Sequence, residues 1–389
     1  MRVMIVTLSF GSGHVRAAEA IAREIRETRS DLETILVDAL DGCGAIFTAL
    51  YVWPYLAMIR FAPRLWNSFF ESRRDRAAES TAPMWLWRLG CHQVLAKAAE
   101  FEPDIIVACE VGGVELAEIM IEDGLADAPV AAVITDLDTE PIWTKRVVTT
   151  YAVATERVRE QLVEWGRKDA TIEVCGIPLD RSFGEHHDPA SVRAAFGLDE
   201  RPIVLLMGGG IGPTRMSQVA CELLHFQTQA QIVALPAKDK TSLTSLRQLV
   251  STDRSGSLRV IEWTDKVAAL MSVATVLVTK PGGVTISEAA ASSLPMVLFD
   301  AIPGPENENA QYLIEHGAAV QAAGPSEAAA LAKSLLSDEG RLQKMRTACA
   351  EIARPDATKR IVQLIGETLK NEVSITAPPT GGAKAQIAG

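Results

Sequence analysis

Short apolar runs recur along the chain, separated by longer stretches whose apolar positions repeat at helical spacing. In the first half the runs are "VMIVTL" (3–8), "TILVDAL" (34–40), "DIIVACE" (104–110) and "VAAVITD" (130–136). In the second they are "PIVLLMGGG" (202–210), "AQIVALPA" (230–237), "LRVIEW" (258–263), "ATVLVTK" (274–280) and "LPMVLFD" (294–300). Continuous rather than alternating apolar runs predict strands buried on both faces, and the helical stretches between them predict βαβ units of a parallel sheet. The pattern therefore predicts an α/β chain of two Rossmann-like, doubly wound domains, the first over 1–183 and the second over 184–370. The boundary falls in "CGIPLDRSFGEHHDPAS" (175–191), where Pro, Gly and charge accumulate. His186 and His187 lie there without a third ligand at matching spacing, so they read as linker. The segment 371–389, rich in turn formers and poor in apolar residues, reads as a disordered tail.

Length and charge sharpen this picture. A chain of 389 residues exceeds what one core usually serves, in keeping with two domains. A net charge of -11 and a pI near 5.2 argue against nucleic acid as a partner, because phosphate backbones need a basic field. The six cysteines (Cys43, Cys91, Cys109, Cys175, Cys221, Cys349) are far apart with no C-x-x-C, which fits reduced thiols and neither a disulfide framework nor a zinc site. The apolar start "VMIVTL" reads as a strand and not as a secretory h-region. The uncharged stretch 42–59 is interrupted by Pro54 and falls short of the roughly 20 residues of a membrane span, so it reads as interfacial or packed helix.

Two kinds of glycine turn carry candidate chemistry. "VTLSFGSGHVRAAEAI" (6–21) has Gly11 and Gly13 of a dinucleotide fingerprint but Arg16 at the third glycine position, while Asp38 ends the next strand. A nicotinamide reading stays open at this point. In the second half, Gly208, Gly209 and Gly210 follow one strand, and Lys280, Gly282 and Gly283 follow another. Both turns belong at the carboxyl edge of one sheet, where helix N-termini offer N–H groups and a positive dipole end to a diphosphate. Thr285 and Glu288 share a helix face, and the Glu288 carboxylate suits two ribose hydroxyls. The competing reading is that the glycines tighten turns and Glu288 is a solvated charge.

The stretches "SFGSGHVRAAEAI", "TDLDTEPIW", "LMGGGIG", "VTKPGGVTISEA" and "PGPENENAQYLIEHGAA" resemble the monogalactosyldiacylglycerol synthase and processive diacylglycerol glucosyltransferase family. Those enzymes have the GT-B fold, with two Rossmann-like domains facing a central cleft, and are related to the lipid-linked N-acetylglucosaminyltransferase of peptidoglycan synthesis. The resemblance implies an inverting glycosyltransferase that moves a hexose from a UDP-sugar to a diacylglycerol-type lipid, with no cofactor beyond the UDP-sugar co-substrate and no metal. It implies donor binding by the second domain, including Glu306 and Asn309, and places the loop of Gly13 and His14 near sugar and acceptor. His14 is the first candidate base, its ordinary pKa lying near neutrality. Asp136 is the rival, or a turn cap; Asp136–Asp138 also spells D-x-D, a manganese reading discounted because the second half supplies phosphate binding. Two positions depart from the family pattern: Glu140 stands ahead of Trp143 where relatives carry His, and Pro305 replaces Gln.

Residues 46–90 hold ten aromatic side chains, among them Trp53 and Trp66, and six arginines, among them Arg73 and Arg74. Aromatic rings with cations suit a lipid interface, so this insertion is expected, with Gly13, Glu140 and Trp143, on the acceptor side. An anionic bilayer would attract its local positive charge. The alternative is an insertion that buries its aromatics in the first domain. Localisation on the cytoplasmic face of the membrane follows from this reading. Rival functions are a nucleotide-sugar epimerase, a transferase with a soluble acceptor, and a catalytically silent nucleotide-sugar binder on the membrane.

Overall fold

A computed structural model describes residues 1–74, 80–208, 214–226, 229–237 and 239–376. Its first sheet contains β1 (Arg2–Thr7), β2 (Glu33–Asp38), β3 (Ile105–Ala108), β4 (Val130–Val133), β5 (Val148–Val153) and β6 (Thr171–Val174). The second contains β7 (Ile203–Met207), β8 (Gln231–Leu235), β9 (Leu258–Val260), β10 (Val276–Thr279), β11 (Met296–Leu298) and β12 (Ala319–Gln321). All neighbours pair in parallel, in the orders β2-β1-β3-β4-β5-β6 and β12-β11-β10-β7-β8-β9. Strand order therefore reverses between β1 and β3 in one sheet and between β7 and β10 in the other, and crevices open at those points. The runs read from the sequence become strands. Three more are added: Thr-containing β5, and β6 and β12, which lie at sheet edges and keep exposed positions that break an apolar run.

Around the first sheet run α1 (Ser12–Thr28), α2 (Ala45–Phe47), α3 (Trp53–Phe61), α4 (Pro63–Arg74), α5 (Met84–Gly90), α6 (His92–Phe101), α7 (Val111–Glu122) and α8 (Glu156–Glu164). Around the second run α9 (Pro189–Phe196), α10 (Met216–His225), α11 (Lys240–Thr252), α12 (Val267–Val273), α13 (Gly283–Ala291), α14 (Pro305–Glu315), α15 (Pro325–Leu336) and α16 (Glu339–Ile352). Local sequence sets their ends. Asp188 caps α9 by accepting from Ser191 N at 2.9 Å, Pro189 supplies a preset first φ, and Gly197 leaves the helix at φ 63°.

The last helix, α17 (Ala357–Thr376), does not stay with the second half. Ile361, Val362, Ile365 and Leu369 share one buried cluster with Val3, Ile5, Ile21 and Ile105 beside the first sheet. The sequence reading groups 357–370 with the second domain, and only this packing reveals the return. Two crossings between the halves are thus laid side by side: Thr358 Oγ1 donates to Leu179 O at 2.6 Å and accepts from Leu179 N at 2.9 Å. Helix α17 also runs through residues 371–376 of the expected disordered tail, whose remainder, 377–389, lies outside the described residues.

Candidate functional site

Among the described residues, β10 leads into α13 through Lys280–Gly283, and β7 leads toward α10 through Gly208; Gly209 and Gly210 lie outside the described residues. A side chain at Gly208 would stand 2.8 Å from Thr214 Cγ2 and 2.9 Å from Met216 Cε, so a larger residue there would have to displace both side chains. Gly283 is more constrained: its Cβ would lie 1.9 Å from the carbonyl oxygen of Thr135, in the other half of the molecule. The glycine thus serves close approach of the two domains. Lys280 is buried, and the Glu306 side chain faces Gly282. The first turns of α1 and α13 meet, Gly13 against Val284, and neither helix has a side-chain cap. Their orphan N–H groups and positive ends converge on the cleft.

His14 and Asp136 come together here. His14 Nδ1 is 2.8 Å from Thr135 Oγ1, and Asp136 Oδ1 accepts from Asn309 Nδ2 at 2.8 Å. Burial raises the Asp136 pKa, opposed by the neighbouring His14 and by the Asn309 hydrogen bond. Asn309 also accepts from Leu137 N at 2.7 Å and donates to Pro281 O at 3.1 Å. Asn309, expected to meet hexose hydroxyls, thus also ties the two halves together across the cleft.

Glu288, expected at the ribose, is engaged from across the cleft. It is buried on α13, but Arg16 Nη2 reaches one of its oxygens at 2.9 Å, so the ribose position faces a guanidinium from the other domain. The second oxygen, Oε2, is buried without a hydrogen-bond partner. Thr285, on the same helix, is half-buried. Burial pushes the Glu288 carboxyl up to about 7 against the pull of Arg16, and Glu306 to about 7 against its bond from Ile302 N and the charge of Lys280. Two carboxyls poised near neutrality in one cleft are a common mark of a functional site. Asp38, the acid a dinucleotide reading would assign to ribose, accepts from Ser9 N at 3.1 Å and Leu40 N at 3.0 Å and so holds its own turn.

The insertion divides into two faces. Trp53 is 65% exposed and Phe61 78%, while Leu65, Phe69, Trp85 and Leu89 are also exposed. Trp66, by contrast, is buried at 6% and donates from Nε1 to Pro303 O at 2.8 Å, so it faces the second domain rather than a membrane. Arg74 donates to Glu308 Oε1 at 2.7 Å and to Asp138 Oδ1 at 2.8 Å. Arg88 is paired with Asp123, so fewer free cations remain on this face than the sequence suggests. The side chain of Arg73 lies outside the described set. Trp143 is buried in the first core, where its carbonyl accepts from Tyr151 Oη at 2.8 Å, and Glu140 is buried just before it; both sit below the acceptor face on which they were expected. Pro305 takes the first position of α14, where proline is suited.

Sequence reasoning missed Thr135, whose hydroxyl and carbonyl touch both His14 and the Gly283 turn; its place at the end of "VAAVITD" was the available signal. It also missed Trp263, 79% exposed just past β9 at the same carboxyl edge as the glycine turns. Among the described residues no cluster of His, Cys, Asp and Glu could hold a metal ion. No single described helix is long and apolar enough to cross a membrane; Ala45–Phe61 and Leu65–Ser72 reach that length only as a pair bent by 118°.

The model of the monogalactosyldiacylglycerol (MGDG) synthase family matches residues 14–179, and that of the glycosyltransferase family 28 C-terminal domain matches 203–361. The chain thus matches the MGDG synthase family in its first half and the glycosyltransferase family 28 C-terminal domain in its second half. Its domains are those of a GT-B glycosyltransferase, with the two sheets meeting at the cleft just described. A "Processive diacylglycerol beta-glucosyltransferase" of Bacillus mycoides is 28% identical over 381 residues, 97% of each chain. One of Bacillus cereus is 28% identical over 365 residues, 94% of this chain and 93% of that one. Among solved structures, Acinetobacter baumannii MurG superposes with a TM-score of 0.59 at 14% identity, covering 94% and 99% of the two chains. A UDP-GlcNAc 2-epimerase from Neisseria meningitidis gives 0.57 at 12%, covering 94% and 100%. Such neighbours share the fold; the family matches separate the transferase from the epimerase.

Proposed function

We propose that this protein is an inverting hexosyltransferase that moves a hexose from a UDP-sugar to a diacylglycerol-type lipid at a membrane surface. The observation that carries the reading is the juxtaposition of the His14–Thr135–Asp136–Asn309 group with an insertion whose outer face is apolar and exposed. In the proposed reaction the acceptor hydroxyl attacks the anomeric carbon from the face opposite UDP, the bond to the diphosphate oxygen breaks, and configuration inverts. With the proton of neutral His14 on Nδ1, shared with Thr135 Oγ1, Nε2 takes the acceptor proton. Asp136, steadied by Asn309, favours the imidazolium that results. The diphosphate charge is met by the uncapped N-termini of α1 and α13 and by Lys280. Glu288 exchanges Arg16 for the ribose hydroxyls, and Trp263 offers a face on which a uracil can stack.

The lipid acceptor would enter from the bilayer side, where Trp53, Phe61, Leu65 and Phe69 immerse at the interface and exposed Arg60, stacked 5.4 Å over the Phe61 ring, meets anionic headgroups. A UDP-sugar donor places this surface on the cytoplasmic face. No metal or further cofactor has a part in the displacement. The test is incubation with diacylglycerol vesicles and radiolabelled UDP-glucose, UDP-galactose or UDP-glucuronic acid, followed by organic extraction. Label in the lipid phase is expected and identifies the sugar; its absence with every donor overturns the reading.

A further inference from the structure

Helix α4 carries two stripes set one residue apart. Leu65 and Phe69 are exposed at 63% and 46%, whereas Trp66 and Phe70 are buried at 6% and 3%. The i, i+4 spacing within each stripe keeps it on one face of the helix. The outer stripe continues the apolar surface assigned above to the bilayer. The inner stripe leaves its own domain and closes on the loop that leads from β11 into α14. Trp66 donates to Pro303 O at 2.8 Å, and Ile302 packs against the cluster of Ile59, Trp66 and Phe70. Gly304 stands at φ 97°, with its Cβ position 2.9 Å from the Phe70 ring, so the ring occupies the space that a side chain there would fill. One turn further along, Arg74 joins Glu308 of α14 to Asp138, two residues past Asp136.

This loop is also held from the α10 side. Asp300 adopts φ 53°, a left-handed conformation for a residue with a side chain, and is clamped by Arg215. Such a conformation persists where surrounding structure enforces it. The loop presents Glu306, bonded to Ile302 N at 2.6 Å, to the cleft beside Gly282. A movement of α4 therefore moves this loop and the Glu306 side chain that it presents to the cleft.

We propose that Trp66 and Arg74 are positioning residues for the donor-sugar loop, and that seating α4 on a bilayer tightens the cleft for the hexose of the UDP-sugar. The proposal rests on the membrane reading given above. Its distinguishing consequence is that the coupling acts on the sugar and not on the nucleotide, since the contacts fall on the loop of Glu306 and not on the glycine turns. Futile hydrolysis of donor away from the lipid is thereby limited.

The test is calorimetric titration of the full chain with UDP, UDP-glucose and UDP-galactose, with and without vesicles of phosphatidylglycerol, alongside co-sedimentation. For the wild type, vesicles are expected to tighten the preferred UDP-hexose by about tenfold and UDP by less than about twofold. Trp66→Phe and Arg74→Gln are expected to sediment with vesicles and bind UDP as before. They lose the vesicle-dependent tightening, and in vesicle-free solution they bind UDP-hexose about fivefold more weakly relative to UDP. Phe61→Ser, on the outer face, loses sedimentation and tightening but keeps the vesicle-free ratio. Tightening in the inner-face variants equal to wild type, or none in a wild type that does sediment, overturns the coupling. A wild type that fails to sediment overturns the membrane reading instead. In that case an unchanged UDP-hexose to UDP ratio in Trp66→Phe overturns the positioning role as well.

Discussion

The two halves begin with the same device, a glycine turn from strand to helix at the point where strand order reverses, yet they use it differently. In the first half the turn of Gly11 and Gly13 is covered by aromatics from the insertion: Phe10 lies 4.8 Å from Tyr55 and 5.9 Å from Tyr51 between ring centroids. In the second half the turns face buried Lys280 and the carboxyls of Glu288 and Glu306. The lesson is that a glycine fingerprint marks where a ligand can approach and leaves its chemistry to the side chains nearby. A diphosphate suits the second crevice, and an apolar acceptor suits the first.

The largest effect is expected at the junction between them. His14→Ala should lower turnover with a lipid acceptor about 10²–10⁴-fold, the usual worth of a general base, with the melting temperature unchanged. Unchanged turnover would remove His14 from the reaction. The two glycine turns can then be set against each other. Gly283→Ala places a methyl group 1.9 Å from Thr135 O and should lower turnover at least about tenfold by preventing closure. Gly13→Ala meets Val284 at an ordinary 3.7 Å and should stay within about twofold. Equal effects would break the comparison.

Titration gives a finer test. In the folded chain Glu306 holds its proton up to about 7, whereas unfolded it ionises near 4.5. The folded state binds more protons across that window, so this group's contribution to stability falls as pH rises through it. Glu306→Gln keeps an oxygen for Ile302 N and removes the cost of ionisation. It should stabilise the protein by about 1–3 kcal/mol at pH 8 and by little at pH 4.5, measured by denaturant unfolding. If Glu288 takes the ribose as a carboxylate, as proposed, wild-type affinity for UDP should rise from pH 6 to pH 8, and Glu288→Gln should flatten that profile. The smallest effect is expected from chelation. Turnover with EDTA should match the untreated enzyme, and a loss restored by manganese would return the D-x-D reading of Asp136 and Asp138.

Much of this arrangement is legible in the chain, and the gaps have physical causes. Strands buried on both faces write continuous apolar runs, so the inner strands other than β5, whose threonines interrupt the run, could be read, while β5 and the edge strands β6 and β12 could not. The glycines, His14 and Asp136 could be placed at strand ends because βαβ geometry puts those ends on one edge. Their partners could not be found. Arg16 and Glu288 are 272 positions apart in number, Asn309 and Asp136 are 173 apart, and no local period links them. Trp66 was misplaced for a related reason: aromatic content does not say which face of a helix meets lipid and which meets protein.

The sequence by itself determined two parallel α/β halves, the glycine turns at their edges, the candidate base and the aromatic insertion, because each is written in local periodicity or residue type. Tertiary structure alone decided that α17 returns to the first sheet, that Asn309 and Gly283 sit where the two domains close on each other, and that α4 spans from the exposed apolar surface to the loop between β11 and α14. Those are contacts between segments remote in sequence. They depend on how two separately folded cores are set against each other, which no local pattern encodes.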